Sequence, residues 1–221
     1  MPGASLWLVP REDNPFTKTA QELISETVPS NFASALEGSK KVHFAPHVTV
    51  TSGIDAQSTY ERASSPQAWL DGLALPEFKK EFDELLLELD TLEAGDARFQ
   101  KLVIRLLKND NIVKFAAWCR REAVEGGDDE KAQRWAKDEY SPHLSLMYAD
   151  IAKKEVQNRV PLVEMQIAYA IGDMFACCGG TLCLGGHLVL VDTSSEDVDE
   201  WKVIAKRETP WAMWKMTRNL A

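Results

Sequence analysis

The sequence predicts an α+β domain of two similar lobes, built from mostly antiparallel sheet flanked by helices. Three observations lead there. Strand-like and helical segments follow the order strand, helix, strand, hairpin, helix, strand, helix, hairpin, whereas a parallel sheet would alternate strand and helix throughout. The 221 residues are 45% apolar and 27% charged, the balance of an ordinary folded globule. One five-residue pattern occurs twice, once in each half. A chain of this length buries roughly 70 to 75% of the surface its unfolded form exposes. The halves are therefore expected to share one core, as lobes of a single domain over residues 1–221.

Taken in order, Ser5–Pro10 carries Leu6, Trp7, Leu8 and Val9 and is expected as a strand closed by proline. Asn14 can cap, and Pro15 open, an amphipathic helix reaching Val28. Lys41–Ile54 is rich in β-branched and aromatic residues. Val42, Phe44, Val48 and Val50 fall on one parity, and His43, Ala45, His47 and Thr49 on the other. Ser65 and Pro66 start a short helix to Leu73. Leu85, Leu87 and Leu89 alternate with polar residues as far as Thr91, a turn follows at 93–96, and Phe99–Leu106 returns as the second strand of a hairpin. The run Leu85–Leu87 is also compatible with a helix continuing from Glu77. Asn109–Val124 repeats apolar residues at helical spacing and ends at Gly126-Gly127, and Asp128–Asp138 is a solvated helix. Tyr140–Tyr148 is a strand, Ile151–Met174 a helix with Pro161 as its candidate break, and His187–Asp192 and Trp201–Ala205 the last strands.

The charge balance narrows the ligand. With 25 basic and 34 acidic residues the net charge is −9, so the chain lacks the footprint of a protein that grips long nucleic acid by its phosphates. A phosphate ligand would be small and locally held. Arg11, Glu12 and Asp13 arrive too early for a secretory leader, so the chain is expected to begin at Met1. Met174–Val191 carries no charged side chain, yet Gly179, Gly180, Gly185 and Gly186 interrupt it, which favours a buried turn feeding a strand over a membrane span. Gly185 and Gly186 fit a plain turn or a close approach of backbone to ligand equally well. Cys119, Cys177, Cys178 and Cys183 form neither a C-x-x-C pair nor a secreted framework, which points to reduced thiols and a cytoplasmic protein. His43 and His47 stand four apart, but Pro46 opposes a helix there and the glutamate of a zinc box is missing. No metal or cofactor is expected.

The chemistry lies in the repeated pattern. Pro46-His47-Val48-Thr49-Val50 and Pro142-His143-Leu144-Ser145-Leu146 both read proline, histidine, apolar, hydroxyl, apolar. From composition alone a given histidine is followed by such a triplet with probability of about 0.02, so a chance pair among four histidines is roughly 1 in 300. On a strand, residues i and i+2 share a face, so each imidazole stands beside its alcohol while Val48, Val50, Leu144 and Leu146 pack behind. Two such strands, one from each lobe, are expected to face each other across a groove that forms the active site. Histidine titrates near neutrality, so one copy can act as base and the other as acid. That is the requirement for in-line attack of water on a phosphodiester, with the hydroxyls binding the non-bridging oxygens.

Two H-x-[ST]-x motifs, 143 − 47 = 96 residues apart among alternating strands and helices, resemble the two-histidine phosphoesterase superfamily. The opening strand Ser5–Pro10, the first motif soon after it and the late strand His187–Thr193 are similar to the fungal 2′,3′-cyclic-nucleotide 3′-phosphodiesterases, over nearly the whole chain. The resemblance implies a small-molecule substrate: nucleoside 2′,3′-cyclic phosphates opened to 2′-phosphates, and ADP-ribose 1″,2″-cyclic phosphate from tRNA splicing. It makes His47 and His143 the catalytic pair and Thr49 and Ser145 the phosphate holders. Tyr148 takes the place of a tyrosine that helps hold the attacking water beside the second histidine, implying His143 as base and His47 as acid. Strand parity turns Tyr148 away from the site unless the strand ends before it. Trp7 matches an aromatic position that lies against the nucleobase, with a core tryptophan as the other reading; Trp201 is expected to pack in the second lobe, and Trp211 and Trp214 carry no role. A monomer is expected. An RNA-end processing phosphodiesterase or ligase of the same superfamily, and a nucleotide-binding module without turnover, are the rival functions.

Overall fold

Alternation decides which face of each strand meets the core. Ala4–Pro10 (β1) is buried on both faces, with Ala4, Leu6 and Leu8 in the main core and Trp7 on the opposite side. In the computed structural model, which describes residues 3–40, 42–55, 63–76, 85–178 and 180–217, this strand belongs to a nine-stranded sheet. Its other members are β2 (Val48–Ile54), β3 (Leu85–Ala94), β4 (Leu102–Leu106), β5 (His143–Met147), β6 (Leu182–Leu184), β7 (Gly186–Asp192), β8 (Lys202–Glu208) and β9 (Ala212–Met216). Their order is β6-β9-β3-β4-β5-β2-β1-β7-β8. Every pairing is antiparallel except β3 with β9. The fold is α+β with mostly antiparallel sheet, as the element order predicts.

The helices start where short polar side chains satisfy the first free N–H groups. Asn14 accepts from the Phe16 amide (2.9 Å) ahead of α1 (Pro15–Glu22), which runs on through a π turn at Leu23–Thr27 into α2 (Val28–Asn31). Ser65 caps α3 (Pro66–Gly72), Asn109 caps α4 (Asp110–Ala123) and Asp128 caps α5 (Asp129–Asp138). The long segment expected from Ile151 divides into α6 (Lys153–Gln157) and α7 (Val160–Cys178). Pro161 falls in the first turn of α7, where its missing N–H costs no helical bond, so the break comes before it.

Several boundaries differ from expectation, each for a local reason. The strand expected from Lys41 begins only at Val48, because Pro46 has no N–H for a ladder. Pro142 likewise delays β5 from Tyr140 to His143. Phe99 lies in a 3₁₀ turn, Arg98–Gln100, ahead of β4. Leu85–Leu87 are strand; the alternative helix from Glu77 falls on residues outside those described. β6 and β9 are additional strands. β9 buries Trp214 completely, with its indole N–H donating to the Gly185 carbonyl at 3.2 Å and its ring 5.5 Å from Phe16.

The main hydrophobic core runs from Ala4 to Met216 and takes in residues from both halves of the sequence. The uncharged Met174–Val191 stretch is the end of α7, β6, a turn at Gly185 (φ +80°) and β7. A Cβ on Gly186 would run into the Val9 carbonyl, so the close approach there is to β1. By length and composition alone α7 is apolar enough to cross a membrane, with mean hydropathy 1.2 over Val160–Cys177. Its Val163, Ile167, Ile171 and Met174 form one stripe in the core.

Candidate active site

β2 and β5, the two motif strands, are immediate neighbours in one sheet rather than walls facing across a gap. They meet at a single antiparallel pair, Val48 with Leu144, both fully buried. Antiparallel register then brings His47 level with Ser145, and Thr49 level with His143. The two motifs are related by a local two-fold turn about that pair, and their polar side chains share the sheet face opposite the core. All four line one cavity of about 620 Å³.

Each imidazole is held by the same device. The Nδ1 of His47 lies 2.7 Å from the Ala45 carbonyl, and the Nδ1 of His143 lies 2.8 Å from the Ser141 carbonyl. A carbonyl only accepts, so Nδ1 carries the proton in both rings, and Nε2 is left with a lone pair to exchange protons. In each case the acceptor belongs to the residue before the motif proline, and the extended X-Pro step turns that carbonyl back toward the ring. Both prolines therefore do more than admit the strand.

Burial keeps the rings neutral. His47 is 4% exposed, and loss of water pushes its pKa down to about 4; the Ala45 carbonyl opposes this and the charge of His143 adds to it. His143 is also lowered, first by burial and then by Arg105, against the raising effects of the Ser141 carbonyl and Glu93. Arg105 stands across from His143 on β4, with Nε 2.6 Å from Glu93 and Nη1 donating to the Ser141 hydroxyl at 2.9 Å. The Ser145 hydroxyl donates to the Phe99 carbonyl at 3.3 Å.

β5 ends at Met147, so Tyr148 escapes the strand's parity and enters the cavity. Its hydroxyl lies 3.3 Å from Nε2 of His47, the first histidine, where the expectation put it beside the second. Since that nitrogen is an acceptor in the neutral ring, Tyr148 donates. The Tyr148 ring stacks on Phe44 with centroids 4.0 Å apart. Trp7 lines the cavity too, but its ring lies flat against His47, centroids 3.8 Å apart and planes 13° from parallel. Trp201, expected as packing in the second lobe, also reaches the cavity wall, as do Arg98 and Phe99 of the 3₁₀ turn. No local pattern in the sequence singles out these three, because loops far apart in the chain bring them there.

Geometry of this kind, one cavity lined by paired imidazoles and alcohols, agrees with the comparisons. A family model described as cyclic phosphodiesterase-like protein matches residues 1–209. The chain belongs to the cyclic phosphodiesterase-like family. As a member it is an enzyme of the phosphoric diester hydrolase class, and the likeness to the fungal 2′,3′-cyclic-nucleotide 3′-phosphodiesterases is borne out. It is 35% identical over 209 residues to a 2′,3′-cyclic-nucleotide 3′-phosphodiesterase of Phaeosphaeria nodorum, covering 94% of this chain and 100% of that protein. A protein of the same name from Neurospora crassa is 32% identical over 222 residues, covering 94% of this chain and 99% of its own. For this family member, 23% identity to the Yarrowia lipolytica protein of that name still extends over 93% of the chain.

Proposed function

We propose that the chain hydrolyses nucleoside 2′,3′-cyclic phosphates to nucleoside 2′-phosphates, with His47 and His143 as the general acid–base pair. The observation that carries this reading is the register of Val48 with Leu144, which sets two imidazoles and two hydroxyls around one cavity. One neutral ring takes a proton at Nε2 from water as its oxygen attacks phosphorus. The bond to the 3′-oxygen breaks, and the other ring, protonated, delivers its Nε2 proton to the departing oxygen. Thr49 and Ser145, the latter turning its O–H from the Phe99 carbonyl, donate to the non-bridging oxygens as charge builds there. The bound phosphodiester anion supplies what the free site lacks: its negative charge raises both pKa values, so that one ring keeps a proton near neutral pH. Tyr148, bonded to Nε2 of His47 in the free site, orients that ring and gives up the contact when the nitrogen exchanges its proton.

The two-lobed, pseudo-symmetric arrangement fits this chemistry, one motif coming from each half with the groove along the seam. A cytoplasmic monomer acting without a metal is part of the same reading. ADP-ribose 1″,2″-cyclic phosphate, the tRNA-splicing by-product, is the second substrate, opened at the corresponding bond. The net charge of −9 favours these small ligands over an RNA chain.

Purified protein incubated with 2′,3′-cyclic AMP and with ADP-ribose cyclic phosphate, in EDTA, should give adenosine 2′-phosphate and ADP-ribose 1″-phosphate. Adenosine 3′-phosphate, or substrate recovered intact, would overturn the proposal. Preferential action on an RNA oligonucleotide end would select the RNA-processing alternative.

A further inference from the structure

Trp7 is only 8% exposed, and its contacts account for most of its surface. One indole face lies on His47, Trp201 meets it edge-on at 5.7 Å, and Val189 and Val191 pack around it. A base-stacking platform needs an open aromatic face, since stacking is the burial of two π surfaces against each other. His47 already occupies that place. With the Ala45 carbonyl fixing Nδ1 and the Trp7 ring fixing its plane, the imidazole cannot rotate about its last bond without losing both contacts.

Trp201 differs from Trp7 in exposure. It is partly exposed, lines the cavity, and is anchored by its indole N–H donating to the Ser195 carbonyl at 2.8 Å. It contacts Phe99 (5.5 Å), Trp7 (5.7 Å) and Tyr148 (6.2 Å). Trp7 and Tyr148 both touch His47, so Trp201 stands one ring beyond the catalytic imidazole. In a nucleoside 2′,3′-cyclic phosphate the ribose separates base from phosphate in the same way.

Resting on the proposed function, we infer that Trp201 is the nucleobase platform and that Trp7 is a positioning residue for His47. The two assignments divide binding from turnover. The test compares adenosine 2′-phosphate with methyl ribofuranoside 2-phosphate, which has no base, as ligands in calorimetric titration, alongside turnover of 2′,3′-cyclic AMP.

Trp201→Ala should weaken adenosine 2′-phosphate by about 5- to 150-fold and leave the base-free ligand unchanged, the range set by stacking on one aromatic ring. Trp7→Phe and Trp7→Leu should keep the wild-type ratio of the two affinities, while kcat falls about 10-fold or more and KM stays put. Phe should retain more activity than Leu because it restores part of the stack. Loss of base-dependent affinity in the Trp7 variants, or equal weakening of both ligands in Trp201→Ala, would overturn the assignment. So would equal binding of the two ligands by the wild-type protein. Binding is read without chemistry, so failure of the hydrolytic reading shows as absent turnover and stays distinguishable.

Discussion

Val48 of β2 stands directly across from Leu144 of β5, and this one backbone pair joins the two halves of the sheet. The two imidazoles and two alcohols of the site are placed by it. Each neighbour of the pair along either strand is turned to the cavity face, and the antiparallel sense sets imidazole beside alcohol at both ends.

Replacing either motif histidine should show the proposed division of labour. His47→Ala and His143→Ala are each expected to lose on the order of 10²-fold or more in turnover. A substrate with sulfur in place of the 3′-oxygen departs without a proton, so the variant lacking the acid should recover on it and the variant lacking the base should not. Full activity in either variant on the ordinary substrate would remove the paired mechanism.

The alcohols should matter for the transition state more than for binding. Thr49→Ala and Ser145→Ala are expected to lower kcat by on the order of 10- to 100-fold with smaller changes in KM, because the charge they meet develops during reaction. A change confined to KM would show that they only hold substrate.

How much of this could be read beforehand depends on distance along the chain. The pairing of His47 with Thr49 and of His143 with Ser145 follows from strand period, and the caps at Asn14 and Ser65 follow from a short polar side chain followed by proline at the helix start. Those are local. Adjacency of β2 and β5 is a contact across 96 residues, and no pattern within either strand encodes which neighbour it takes. The same holds for Tyr148 reaching His47 and for Trp201 joining the cavity wall. β9 is different: Ala212, Trp214 and Met216 alternate as buried residues, a signal hidden by the shortness of the run after Pro210.

Acid should destabilise the fold through His47. Its pKa is about 4 in the folded protein against 6.5 for the free side chain, so between those values the unfolded chain binds a proton that the folded one refuses. The contribution is complete above pH 6.5 and is lost as pH falls toward 4, amounting to about 3 kcal/mol. His143 acts in the same direction. Urea unfolding at pH 7.5 and 4.5 should therefore show a smaller difference in His47→Gln than in the wild type. An equal difference would mean that His47 is not held neutral.

Tyr148→Phe keeps the stack on Phe44 and removes the hydroxyl from Nε2 of His47. Turnover should fall about 10-fold, the loss of one hydrogen bond at a reacting nitrogen, with KM nearly unchanged. Unaltered turnover would make the tyrosine a packing residue alone.

The tether between each Nδ1 and the carbonyl two residues before it carries a consequence for sequence change. A single residue added or deleted between Ala45 and His47, or between Ser141 and His143, would break that tether, and one between imidazole and alcohol would set the two on opposite faces of the strand, turning one of them into the hydrocarbon interior and bringing a valine or leucine out in its place. Length variation among descendants of this gene should therefore be barred from those two short windows, however freely the surface loops elsewhere grow or shrink.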